Sequence, residues 1–283
     1  MVLVILTALS TAAFAILFKY FHRYSVPLFP AITVNYFVAF TCGLLIHPPW
    51  GVGDASLLWK PAIGLGCLFV TVFTLNGLSA QKAGAALTTI AGRMSLVLTV
   101  ISTMLLFDEH IRFWSWVGIA LALLGLLLAT RAEQGSTEKR SWLLPLLIFL
   151  GSGACDIGVN AFQRTRTTTL NEAAFTTMCF GAASCVSLLV LFIRKEHRSL
   201  AHGGVWVGGV LLGVVNYASL LFLIAALGAG ELPASSIFPL MNIGAILFST
   251  AAAILLFGER LSARQWIGIA LCVFALVFIM LPA

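Results

Sequence analysis

The chain has 283 residues, of which sixteen are Lys or Arg and ten are Asp or Glu, so 9% are charged where soluble domains carry roughly 25%. A hydrophobic share of 60% and a mean hydropathy of +1.05 exclude a water-soluble globule, a disordered chain and a collagen-like one. The net charge of +6 is spread one to three residues per loop with no basic stripe, which argues against a nucleic-acid partner.

In chain order the hydropathy predicts ten apolar segments, at roughly 2–19, 29–46, 61–79, 84–106, 113–130, 142–162, 172–193, 205–227, 233–256 and 263–281. A membrane-crossing helix needs about 20 apolar residues to span roughly 30 Å of hydrocarbon. Continuous runs of this length are predicted as helices, because lipid leaves backbone groups no partner outside their own segment. A β-barrel would instead show alternating stretches of about ten residues. No Lys or Arg precedes the first run, whereas Lys19 and Arg23 follow it. That polarity is the reverse of a signal peptide, so the run is read as a retained first span. All six cysteines fall in apolar runs without CxxC spacing, and they read as small packing residues.

The chain matches itself at an offset of 150: Leu105-Leu-Phe-Asp-Glu109 against Leu255-Leu-Phe-Gly-Glu259, and Trp116-Val-Gly-Ile-Ala-Leu121 against Trp266-Ile-Gly-Ile-Ala-Leu271. Each half then holds five spans, residues 1–134 and 135–283. Five is odd, so equivalent spans must cross the membrane in opposite directions. The expected fold is all-α, ten transmembrane helices arranged as two inverted five-helix repeats. Inverted repeats are a route to alternating access around a midplane site. The loops after spans 1, 3, 5, 7 and 9 hold eleven Lys and Arg residues against four in the other loops. By the positive-inside rule this puts both termini outside.

The paired segments Gly84 to Leu121 and Ala234 to Leu271, with Phe107-Asp108-Glu109 and Phe257-Gly258-Glu259 at the end of spans 4 and 9, resemble the drug/metabolite transporters of the EamA-like family. Asp108 stands where the second copy has Gly258. The resemblance implies a ten-helix carrier of the inner (plasma) membrane. It also implies export or exchange of small metabolites such as amino acids, with no cofactor.

Charges inside spans are expensive, roughly 2.5–3.5 kcal/mol at a helix centre, and so mark candidate function. Arg93 lies near the middle of span 4 and Asp156 within span 6. Ser152, Asp156 and Asn160 follow at i, i+4 and i+8, with Gln163 one turn on, which makes one polar stripe. Arg93 could take a substrate carboxylate, and Asp156 a substrate amine or a proton. The competing readings are a structural Arg93–Asp156 pair and two unrelated roles. Asn35, Asn76, Asn216 with Tyr217, and Asn242 are amide and hydroxyl candidates for the cavity or for bonds between helices. Asn242 stands one residue from the repeat equivalent of Arg93, and Pro239 is a candidate gate or packing kink beside it.

Lys19 is expected to snorkel to the interface, and Glu109, Glu231 and Glu259 to serve helix N-termini and turns. Thr88, Gly92, Ser95, Thr99 and Ser102 read as a close-approach stripe, as do Gly64 and Gly208-Gly209. Trp50, Trp59, Trp114 and Trp142 are placed in interfacial belts. A membrane enzyme would need a convergent nucleophile, metal set or phosphate loop, and no HxxxH, GxSxG or Walker pattern is present. The expected function is a secondary transporter of a small polar metabolite, with the lipid bilayer and protons among its partners. Alternatives from other classes are a scaffold or scramblase and a membrane enzyme.

Overall fold

The computed structural model describes residues 1–49, 56–107, 113–130, 143–166, 169–229 and 234–280. Among these residues every regular element is helical: α1 (Val2–Arg23), α2 (Leu28–Ile46), α3 (Ser56–Lys82), α4 (Ala85–Met94), α5 (Leu96–Phe107), α6 (Phe113–Thr130), α7 (Leu143–Arg166), α8 (Thr169–Ile193), a 3₁₀ segment (Glu196–Ala201), α9 (Gly203–Gly228), α10 (Ala234–Phe257) and α11 (Ala263–Met280). Seven stretches have the length and apolarity to cross a membrane. The apolar helices Phe113–Ala129, Leu143–Val159 and Ala263–Ile279 are shorter. Large side chains such as Leu45, Leu105, Ile193 and Leu255 are exposed. That exposure suits hydrocarbon rather than water.

The ten predicted segments coincide with these helices, with one difference. Span 4 is two helices, α4 and α5, separated at Ser95. The interruption falls beside Arg93, and no proline causes it. Pro239, the candidate gate or kink, lies inside α10, which continues through it from Ala234 to Phe257. Pro27 and Pro30 sit at the start of α2, where a missing N–H leaves nothing unsatisfied. Ser262 and Gln265 close a reciprocal cap at the start of α11, the side chain of each bonded to the backbone N–H of the other.

Packing joins the two halves of the chain throughout. α1 lies against α9 and α10, α2 against α8 and α9, α3 against α7 and α8, α4 against α7 and α10, and α6 against α11. One core gathers residues of α1, α2, α3, α8 and α9 around Phe18, Ile32, Tyr36 and Tyr217. The other gathers α4 to α7 with α10 and α11 around Ile90, Met94, Ile148 and Ile246. Neither half has a core of its own.

Glycines set the closest approaches. On α9, a Cβ at Gly209 would meet Val34 at 2.5 Å and one at Gly208 would meet Phe21 at 2.6 Å, so this pair is a close-approach surface as expected. Gly64 is not: no atom lies within 4 Å of where its Cβ would be. The tightest backbone crossing is between α6 and α11. There a Cβ at Gly268 would stand 2.6 Å from the Ala129 nitrogen and 2.8 Å from the Gly125 carbonyl oxygen. Gly118 meets Ala275 and Ile279 in the same interface. Gly118 and Gly268 are the glycines of the repeated Trp-x-Gly motif, which therefore encodes a helix crossing.

Candidate functional site

A cavity of about 700 Å³ lies between the halves, lined by α1, α3, α4, α5, α7, α9, α10 and the end of α11. A contiguous lobe of about 280 Å³ shares Arg93 and the phenylalanines around it. Of the residues singled out in the sequence, the cavity collects Arg93, Asp156, Asn76, Asn216, Asn242, Pro239 and Ser152.

The polar side is built around the broken span. Arg93, in the last turn of α4, donates from Nη1 to Oδ1 of Asn242 on α10 at 3.3 Å. The two residues are 149 positions apart and so are near-equivalents in the repeat. Ser95, at the break, has its Oγ 2.7 Å from Asp156 Oδ2 and 2.6 Å from the Gly92 carbonyl oxygen. Asp156 is deep in the bundle yet accessible, because its exposed face is the cavity. No ion pair joins it to Arg93; the ion pairs among the described residues are Lys19–Glu259 and Arg194–Glu196. The two charges share one chamber without neutralising each other by contact.

The expected close-approach stripe on span 4 belongs to this chamber instead. Thr88, Gly92, Ser95 and Thr99 line the cavity, and the nearest atom to a Cβ at Gly92 would be 3.7 Å away. A Cβ there would be in ordinary contact with Ile148 and Ser152 of α7, so the helices do not need a glycine to approach at this point. Asn76 donates to the Val72 carbonyl at 2.9 Å, which satisfies its amide within α3 and turns its Oδ1 toward Gly92. Asn216 donates to Asn35 Oδ1 at 3.2 Å, and Asn35 lies fully buried behind it. Tyr217 points elsewhere: it is buried, with its hydroxyl 2.9 Å from His47 Nδ1. Asn160 and Gln163 lie on α7, but their side chains fall outside the described residues.

The rest of the cavity lining is largely apolar and was not assignable from sequence. Phe14 and Phe18 of α1, Phe69 and Phe73 of α3, and Phe238 of α10 form it with Leu220 and Leu223 of α9. Phe73 is the hinge of this wall, edge-on to Phe14 at 5.5 Å and to Phe18 at 5.1 Å. Phe occurs 21 times in the chain, so composition alone cannot separate a pocket ring from a lipid-facing one.

A second set of polar contacts joins the two halves at the start of α4. Lys19, expected to snorkel, pairs with Glu259, which follows α10. The same carboxylate accepts the Ala85 backbone N–H at 3.0 Å, at the first residue of α4. Glu259 thus complements the N-terminus of a helix in the other half, not that of α11 beside it in sequence. Gly84 makes this approach possible, with φ +102 and a Cβ position 2.7 Å from the carboxylate. Glu109, Glu231, Trp50 and Trp142 fall outside the described residues. Trp59 and Trp114 are exposed, as an interfacial belt requires.

Over this geometry the chain resembles known proteins along its whole length. A relative from Haemophilus influenzae strain Rd, itself an uncharacterised protein, is 28% identical over 275 residues, covering 94% of this chain and 92% of its own. A solved crystal structure aligns over 97% of this chain and 93% of the other with a TM-score of 0.58 at 18% identity, a likeness of fold. The model of the EamA-like transporter family matches residues 1–131 and again 143–281. Membership brings a small-molecule cargo and a lipid setting. The chain therefore belongs to the EamA-like transporter family and is a multi-pass membrane protein.

Proposed function

We propose that the protein is a secondary transporter that exports or exchanges a small zwitterionic, amino-acid-like metabolite by alternating access. The carrying observation is one cavity lined both by the charges Arg93 and Asp156 and by five phenylalanines. The guanidinium fork suits a carboxylate. Asp156 suits an ammonium or a proton, and the phenyl wall suits an apolar side chain.

The proposal takes the chain as ten spans in two inverted repeats, residues 1–134 and 135–283, an arrangement suited to alternating access. In this reading α4 and α5 together make span 4, and the three shorter helices cross as well. The helix contacts occur in matched sets under the repeat: α1 on α9 answers α7 on α3, α1 on α10 answers α7 on α4 and α5, and α2 on α9 answers α8 on α3. The pairs α2–α8, α4–α10 and α6–α11 join each helix to its own counterpart. A pseudo-two-fold relation pairs the first kind of contact, and the second kind marks helices beside its axis. Arg93 and Asn242 meet close to that axis, so they would stay at the centre whichever face is open.

The expected location is the inner membrane with both termini outside, which makes the Lys19–Glu259 latch cytoplasmic. Uptake and counterflow into proteoliposomes, with a panel of labelled amino acids and an imposed pH gradient, test the proposal. Saturable flux of a zwitterion with an apolar side chain is expected. Absence of flux across the panel would return the scaffold and enzyme readings to first place.

The latch gives a second expected result. In a background keeping Cys155, which lines the cavity, as the sole cysteine, Glu259→Gln releases Lys19 and the start of α4 together. An impermeant maleimide applied from the cytoplasmic side should then label Cys155 several-fold faster. An unchanged rate rejects the latch, and labelling confined to the opposite face rejects the orientation.

A further inference from the structure

The contacts at the span 4 break hold more oxygen atoms than protons to join them. Ser95 Oγ stands 2.6 Å from the Gly92 carbonyl oxygen and 2.7 Å from Asp156 Oδ2. Both are hydrogen-bond lengths for oxygen pairs, and each needs one proton between its oxygens. A carbonyl and an ionised carboxylate only accept, and a hydroxyl brings one proton. With Asp156 ionised, one of the two short contacts would be oxygen lone pair against lone pair. We infer that Asp156 carries a proton in this conformation and that Ser95 passes its protonation state to the helix break. The Asp156 hydroxyl donates to Ser95 Oγ, and Ser95 donates to the Gly92 carbonyl. When the proton leaves to water in the cavity, the electron pair stays on the carboxylate. Ser95 then turns its own proton to Asp156, and the Gly92 carbonyl loses its partner.

The consequence is local to the element that matters. Gly92 O lies in the last turn of α4, next to Arg93, so the charge on Asp156 is written into the geometry of the turn that aims the guanidinium. Ser95 acts here as a positioning residue, and the inference rests on reading this cavity as the transport site. The charged group facing Asp156 is Arg93 on α4, which makes no ion pair with it in this arrangement. The nearby neutral titratable groups are Cys155 on α7 itself, Cys179 on α8 and Tyr36 on α2. From α3 and α5 the facing groups are Asn76, Phe69, Val72, Leu96 and Thr99, none of which titrates.

Infrared difference spectra of the reconstituted, substrate-free protein, taken between acidic and alkaline pH, test this without any transport assay. A carbonyl stretch of a protonated carboxyl that disappears on alkalinisation is expected in the wild type and should be lost in Asp156→Asn. In Ser95→Ala the band should persist but move to higher frequency, because the acid has lost its acceptor. Ser95→Thr, which keeps a hydroxyl, should return it toward the wild-type position. If Asp156→Asn does not fold, the Ser95→Ala and Ser95→Thr pair carries the test by itself. A band absent at acidic pH, or one unmoved by Ser95→Ala, overturns the inference. Because no substrate is present, that failure is distinct from a failure to find flux.

Discussion

Arg93→Ala is expected to cut transport steeply while leaving a folded, monodisperse protein. The side chain lines the cavity, and its one hydrogen bond, to Asn242, uses one arm of the fork. The remaining donors face open space, so truncation leaves no buried partner stranded beyond the Asn242 amide. A charge-assisted bond to a carboxylate contributes about 1.5–3 kcal/mol. Losing it should lower kcat/KM for a carboxylate substrate by roughly 10- to 100-fold. Arg93→Lys should fall between, because an ammonium keeps the charge without the planar fork. An analogue of the substrate lacking its carboxylate should be insensitive to both changes. The measurement is initial uptake into proteoliposomes against concentration, with size-exclusion profiles as the folding control. Wild-type flux in well-folded Arg93→Ala would end the assignment of a substrate-binding role. The charge swap between Arg93 and Asp156 separates pairing from ligand binding: recovery of transport by the swap would favour a structural pair.

The second large effect is on assembly. Gly268→Val should prevent α6 and α11 from closing, because the new side chain would overlap backbone atoms of Ala129 and Gly125, which cannot rotate away. Overpacking a fitted interior typically destabilises by about 1–3 kcal/mol, and backbone overlap belongs at or above the top of that range. The expected result is a steep fall in monodisperse protein and a lowered Tm in detergent. Gly64→Val, where the space is empty, is the matched control and should change neither. Equal behaviour of the two variants would mean that the α6–α11 crossing does not hold the halves together.

Much of the fold was legible in the sequence. Hydrocarbon admits one local solution to backbone hydrogen bonding, so run length alone located the helices. The Trp-x-Gly repeat pointed to a duplicated chain before any packing was known. The exceptions are instructive. Span 4 reads as one apolar run, but it breaks at Ser95, with no proline there to signal the interruption. The small residues of the same span read as a packing stripe, yet Thr88, Gly92, Ser95 and Thr99 also line the cavity. Size and polarity specify that a residue is small and weakly polar, not what stands opposite.

The candidate site divides in the same way. Intramembrane charge is costly enough that Arg93 and Asp156 stood out from composition and hydropathy by themselves. Their partners did not. Arg93 meets Asn242 across 149 positions, Asp156 meets Ser95 across 61, and Lys19 meets Glu259 across 240. Lys19 was expected at the interface because the hydropathy of one helix end cannot register a carboxylate arriving from the other half. What the sequence determined alone was therefore everything governed by local transfer free energy: which segments enter lipid, that they are helical, and which charges must be exceptional there. Only the tertiary structure decided which of those charges share a chamber, which pair across the halves and which rings line the cavity with them, because those relations depend on how separate helices cross, and crossing is set by side-chain fit between elements distant in the chain.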